Sequence, residues 1–114
     1  MKITRFEDII AWQKGKQLTK LIYQIFSSSR DFGFRDQIQR AVVSIMNNIS
    51  EGFERKSNKE FKNFLFIAKG SCAEVRSMLY VAYDLQYLTQ ESFYDLLSRT
   101  EEISRLLSGL IKTL

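Results

Sequence analysis

Apolar side chains recur at three- and four-residue steps through four segments of the chain, the spacing of helices that bury one face. The first segment runs from about Glu7 to Phe26 and carries Ile10, Leu18, Leu21, Ile22, Ile25 and Phe26 in that register. Turn-forming residues from Ser27 to Gly33 interrupt it, and a second segment from about Phe34 to Arg55 places Ile38, Ala41, Val42, Ile45, Ile49 and Phe53 on one side. Ser57-Asn58-Lys59-Glu60 has the spacing of a capping box, in which the Ser57 hydroxyl accepts from the amide three residues on and Glu60 reaches back. It opens the third and longest segment, about Asn58 to Gln86. After a break over Tyr87-Leu88-Thr89-Gln90, the fourth segment runs from about Gln90 to Lys112 with Phe93, Leu96, Leu97, Ile103, Leu106, Leu107 and Leu110. Four helices joined by short connections predict an all-α, antiparallel up-down-up-down four-helix bundle, one domain over residues 1–114.

Composition sharpens this picture. The 114 residues contain no proline and only five glycines, so few turns are enforced and long helices are favoured. Four glycines, Gly15, Gly52, Gly70 and Gly109, fall inside the predicted helices, where each costs roughly 0.5–1 kcal/mol against alanine. Close approach of another backbone is the expected reason, either inside the bundle or across a subunit contact. The single cysteine, Cys72, rules out an internal disulfide and suits a reducing compartment. No apolar signal core or membrane-length apolar run is present, so a soluble, cytoplasmic protein without a membrane partner is expected.

Candidate chemistry is sparse. The chain has no histidine, which removes the commonest general base, the Ser-His and Cys-His pairs and every histidine-dependent metal site. Cys72 shares the apolar stripe of the third helix with Leu65, Ala68, Val75 and Leu79 and reads as a small buried hydrophobe, not a nucleophile. No glycine-rich phosphate loop occurs. These observations predict a protein that is not an enzyme and takes no cofactor or metal.

Polar patterning is more informative. At about 100° per residue, Gln37, Arg40, Ser44, Asn48, Glu51 and Arg55 fall within an arc of about 80° on the second helix. Such a stripe is either a solvated face or a polar seam against another helix. On the third helix, Lys59, Lys62, Phe66, Lys69, Arg76 and Tyr80 cluster away from the core stripe. Cations beside rings suit single-stranded nucleic acid, charge for phosphates and rings for bases. The alternatives are a solvated lysine face and an interface seam through Phe66, Tyr80 and Tyr87, which are spaced by sevens. Ile67, Met78, Val81 and Leu85 add a further apolar side to this helix and predict self-association. The net charge is +4, and the excess lies wholly in residues 1–56.

The run Phe6-Glu7-Asp8-Ile9-Ile10-Ala11-Trp12-Gln13-Lys14 resembles the opening of the bacterial four helix bundle protein family, also called the 23S rRNA intervening-sequence protein family. Gln37 to Ile45, Asn48-Ile49-Ser50-Glu51-Gly52 and Arg55 resemble its central motif, and Phe61, Phe64-Leu65, Ile67 to Ser71 and Glu74 its third-helix motif. The chain departs from many relatives in carrying Met46 in place of proline, and Gly15 and Ser50 in place of alanine. The resemblance implies a non-enzymatic protein encoded within or apart from bacterial ribosomal RNA genes. It is related to the accessory variability determinant of diversity-generating retroelements, a barrel-like pentamer that binds nucleic acid and a reverse transcriptase through basic surfaces. It therefore implies a homo-oligomer with RNA or DNA, a reverse transcriptase or another protein as partner. The basic residues that would contact phosphate are Lys14, Lys16, Lys20, Arg40, Arg55, Lys56, Lys62, Lys69 and Arg76. The rival expectation is a protein-interaction scaffold in which the aromatic residues of the third helix dock a partner.

Overall fold

The computed structural model describes residues 2–114; Met1 lies outside the described residues. A 3-10 turn over Phe6–Asp8 precedes four helices, α1 (Ile10–Phe26), α2 (Phe32–Glu54), α3 (Asn58–Asp84) and α4 (Gln90–Lys112). Each of α2, α3 and α4 starts at a side-chain cap. Asp31 accepts from the Phe34 amide at 3.2 Å, Ser57 from Glu60 at 3.0 Å and Thr89 from Ser92 at 3.1 Å, each satisfying an amide the helix leaves unpaired. Only half of the expected box at Ser57 forms, because the Glu60 carboxylate turns to Arg55 at 3.9 Å.

Three boundaries differ from the sequence expectation for local reasons. Helix α1 starts at Ile10, not near Glu7, because the turn before it packs Phe6 edge-on against Trp12 and buries Ile9. Helix α2 starts two residues early, since the Asp31 cap draws Phe32 and Gly33 into its first turn; all five glycines are thus helical. Helix α3 stops at Asp84, where Gln86 takes a left-handed φ of 64°. The Gln86 amide then bonds the Tyr83 carbonyl and the Tyr87 amide bonds that of Ala82, the paired closure of a Schellman motif. Tyr87 is therefore off the helix. Its ring meets Phe34 edge-on and its hydroxyl donates to Asp31 at 2.7 Å, tying the α3–α4 turn to the α1–α2 turn.

The four helices form a square in which α1 borders α2 and α4, α3 borders α2 and α4, and the diagonal pairs stay apart. Leu18, Ile22, Ile38, Val42, Ile45, Leu65, Leu79, Leu96, Ile103 and Leu107 are sealed into one cluster. Burying each of these contributes about 1.5–3 kcal/mol. The two ends of the square close differently. At α2–α3 the backbones nearly touch: a Cβ added to Gly52 would sit 2.5 Å from Phe64 Cβ. At α1–α4 an open groove of about 690 Å³ remains, lined by Ile3, Ile10, Leu106 and Leu110.

Candidate nucleic-acid interface

The polar stripe of α2 meets α3 along part of its length. Ser44 and Ser71 share a hydroxyl–hydroxyl bond of 2.8 Å, and the Asn48 amide donates to the Ser44 carbonyl and hydroxyl at 2.8 and 2.9 Å. Two turns nearer the start of α2, Gln37 donates to Glu74 at 3.5 Å. Glu51 and Arg55 pair along the helix at 3.2 Å, and the Arg55 guanidinium also lies 5.1 Å over the Phe64 ring. Arg40 points away from this contact, at the rim of a shallow hollow with Tyr23, Asp36, Gln39 and Val43. The stripe is thus a seam at Gln37, Ser44 and Asn48 and a surface at Arg40.

The nine basic residues singled out in the sequence do not form one patch. Lys14 pairs with Glu102 of α4 at 3.7 Å, Lys16 stands over the Trp12 ring, and Lys20 is exposed on α1. Arg55 is held by two carboxylates. Lys56 is exposed in the α2–α3 turn, beside a hollow of about 330 Å³.

Lys62, Lys69 and Arg76 are different. They recur every seven residues, about 10 Å apart along the axis, on the side of α3 that turns toward α4. Lys69 donates to the Ser108 hydroxyl of α4 at 2.6 Å. Arg76 opens onto a groove of about 430 Å³ with Ser104, Arg105, Ser108 and Lys112 of α4. Arg76, Arg105 and Lys112 line this groove, Lys69 reaches its wall through Ser108, and Lys62 stands seven residues farther along α3; none of the five has a carboxylate within ion-pair distance among the described residues. Glu101 is the one acid lining it. Sequence reasoning missed Arg105 and Lys112. They also lie seven apart, and the short α3–α4 connection, which makes the two helices antiparallel neighbours, was the available signal.

The groove leads to rings. Tyr80, one turn beyond Arg76, meets Phe93 of α4 at 5.4 Å between centroids; Phe93 stacks on Tyr83 at 4.5 Å and touches Tyr94 at 5.3 Å. Phe93 is buried, whereas Tyr80 is 47% and Tyr94 56% exposed. Phe66 is on the same helix but faces outward with Ile67, Val81 and Leu85, all about half exposed. Between them Gly70 has open space where a Cβ would stand, so nothing inside the chain requires glycine there.

Cys72 is buried behind the groove and donates to the Thr100 carbonyl at 3.0 Å. Burial pushes its thiol up to about 11, against the pull of Arg76 and Lys69, so it stays protonated and weakly nucleophilic near neutral pH. Among the described residues no cluster of three His, Cys, Asp or Glu side chains is placed to hold a metal. No helix among the described residues is long and apolar enough to cross a membrane.

The sequence model of the 23S rRNA-intervening sequence protein family matches residues 7–109. A crystal structure of a protein of unknown function from the S23 ribosomal protein family of Bacteroides thetaiotaomicron superposes with a TM-score of 0.84 at 27% identity. The match covers 90% of this chain and 98% of that one. No curated protein matches the chain.

Proposed function

This chain belongs to the 23S rRNA-intervening sequence protein family, and from that premise we propose that it is a non-catalytic, homo-oligomeric accessory that holds RNA or DNA by its phosphates with little base readout. The observation that carries this reading is the α3–α4 groove, where Arg76, Arg105 and Lys112, with Lys69 beside them and Lys62 farther along α3, form no ion pair among the described residues and share two serine hydroxyls and one carboxylate, Glu101. Unpaired cations in a row bind a polyanion by releasing its counterions and read no sequence. The protein works in the cytoplasm, in keeping with its single buried thiol.

Self-association is assigned to the outer face of α3. Phe66, Ile67, Val81 and Leu85 leave apolar area on the order of 400 Å² bare, the size of the largest patch on a typical monomer, which is often functional. That is about half of the ~800 Å² per partner in a standard interface. Gly70 makes a waist in this ridge that a second helix can approach closely. The apolar groove between α1 and α4 lies on another side of the square, so seating the ridge of one copy in the groove of the next is head-to-tail. Head-to-tail contacts close into rings, and the ring proposed is a pentamer. Ile67→Glu with Val81→Glu then yields monomers by light scattering; an unchanged mass removes this face from the interface.

The binding test is fluorescence anisotropy of the assembled protein against single-stranded RNA, single-stranded DNA and duplex. Five phosphate contacts per groove predict that single-strand affinity falls roughly hundred-fold between about 50 and 200 mM salt. The Lys62→Glu/Lys69→Glu/Arg76→Glu variant assembles and loses binding. An intact assembly that binds no nucleic acid at the lowest salt overturns the reading and leaves the protein-scaffold alternative.

A further inference from the structure

The α3–α4 groove is not uniform along its length, and its two ends suit different parts of a nucleic acid. Around Arg76, Arg105 and Lys112 it presents cations and serine hydroxyls with one carboxylate, Glu101, and Lys69 and Lys62 continue the charge along α3. Beyond Arg76 the α3–α4 contact carries rings in place of charge: Tyr80 from α3 and Tyr94 from the first turns of α4, both about half exposed and both braced on the buried Phe93. The brace matters because Tyr83 stacks flat on Phe93, with 9° between planes, so the ring that supports both tyrosines is itself fixed. A ring fixed before binding gives up little entropy when a ligand stacks on it.

Resting on the phosphate-binding reading above, we infer that the Tyr80–Tyr94 platform receives unpaired bases of the strand whose phosphates lie on Lys62, Lys69, Arg76, Arg105 and Lys112, so that the groove selects single-stranded over duplex nucleic acid. The geometry fits one strand. Lys62 and Tyr80 are eighteen residues apart, about 27 Å along the helix, and Arg76 lies four residues, about 6 Å, from Tyr80. Phosphates held on the last cations therefore place the next bases beside the rings. A duplex brings phosphates to the same cations, but its bases are stacked on one another and present no free face to tyrosine. Every base has a π-face, so the platform adds strand discrimination without sequence preference. It also makes no use of a 2′-hydroxyl, so RNA and DNA single strands bind alike.

The test compares wild type, Tyr80→Leu/Tyr94→Leu and Tyr80→Phe/Tyr94→Phe in anisotropy titrations with an unstructured single-stranded RNA, its DNA counterpart and the matching duplexes. Removing both rings is expected to weaken single-strand binding about ten-fold or more. Duplex binding and the salt slope stay unchanged, and the phenylalanine variant keeps wild-type affinity. Circular dichroism and thermal melting establish that each variant is folded; should the leucine variant melt early, Tyr94→Ala alone, at a more exposed ring, reads the same loss in smaller measure. Equal losses on single strands and duplex, or none on either, overturn the inference while leaving a salt-sensitive, charge-dependent binder intact. Absence of binding by wild type to every nucleic acid overturns both readings.

Discussion

Helix α3 has a polar contact on each side, and the two are built oppositely. Toward α2, its Ser71 and Glu74 find Ser44, itself held by Asn48, and Gln37, and the helices close until no Cβ fits at Gly52. Toward α4, its Lys62, Lys69 and Arg76 find only hydroxyls, one carboxylate and two further cations, and a groove stays open. Short side chains let two helices approach and satisfy one another. Long cationic chains keep their heads in water and hold the helices' rims apart. Polar residues on one helix are thus absorbed into the fold on one side and left free for a ligand on the other. What separates the cases is what the facing helix presents.

The contrast can be broken most sharply at Gly52. Gly52→Val drives side-chain atoms into Phe64 and Phe61, and the seam must part; a loss of about 3 kcal/mol or more is expected in chemical denaturation. A valine tolerated without loss would mean the seam is as loose as the groove. Ser44→Ala has a smaller effect, about 1–2 kcal/mol, because it strands the Ser71 hydroxyl and half of the Asn48 bonding. Adding Ser71→Ala to it should cost less than the two single changes summed, since both ends of one bond then go together. The groove is the insensitive side. Arg76→Gln with Arg105→Gln is expected to move stability by no more than about 0.5 kcal/mol, for these cations have no partner to lose. A large destabilisation there would show that the groove is part of the scaffold.

Most of the fold was legible because helices with one apolar face announce themselves by period. The fourth helix spans Gln90–Lys112, where its periodicity placed it, and Leu65, Ala68, Cys72, Val75 and Leu79 are buried as their stripe required. Misreadings arose where a local contact outweighed periodicity. The Asp31 cap extended α2 backward over Phe32 and Gly33, and left-handed Gln86 ended α3 before Tyr87. The heptad spacing of Phe66, Tyr80 and Tyr87 therefore describes one face only in part: Phe66 and Tyr80 share a side of α3 and are both about half exposed, whereas Tyr87 is bonded to Asp31 in a turn.

Charge was harder to place. Nine cations were candidates in the sequence, but burial, pairing and helix order divide them among four surfaces. Lys62, Lys69 and Arg76 became a site only with Arg105 and Lys112 opposite, residues whose sequence separation hides their proximity. The sequence by itself determined the helices and their buried faces, since 3.6-residue periodicity and short connections are local properties. Only the tertiary structure decided which polar groups remain free, because a side chain is free or satisfied according to what the neighbouring helix sets against it.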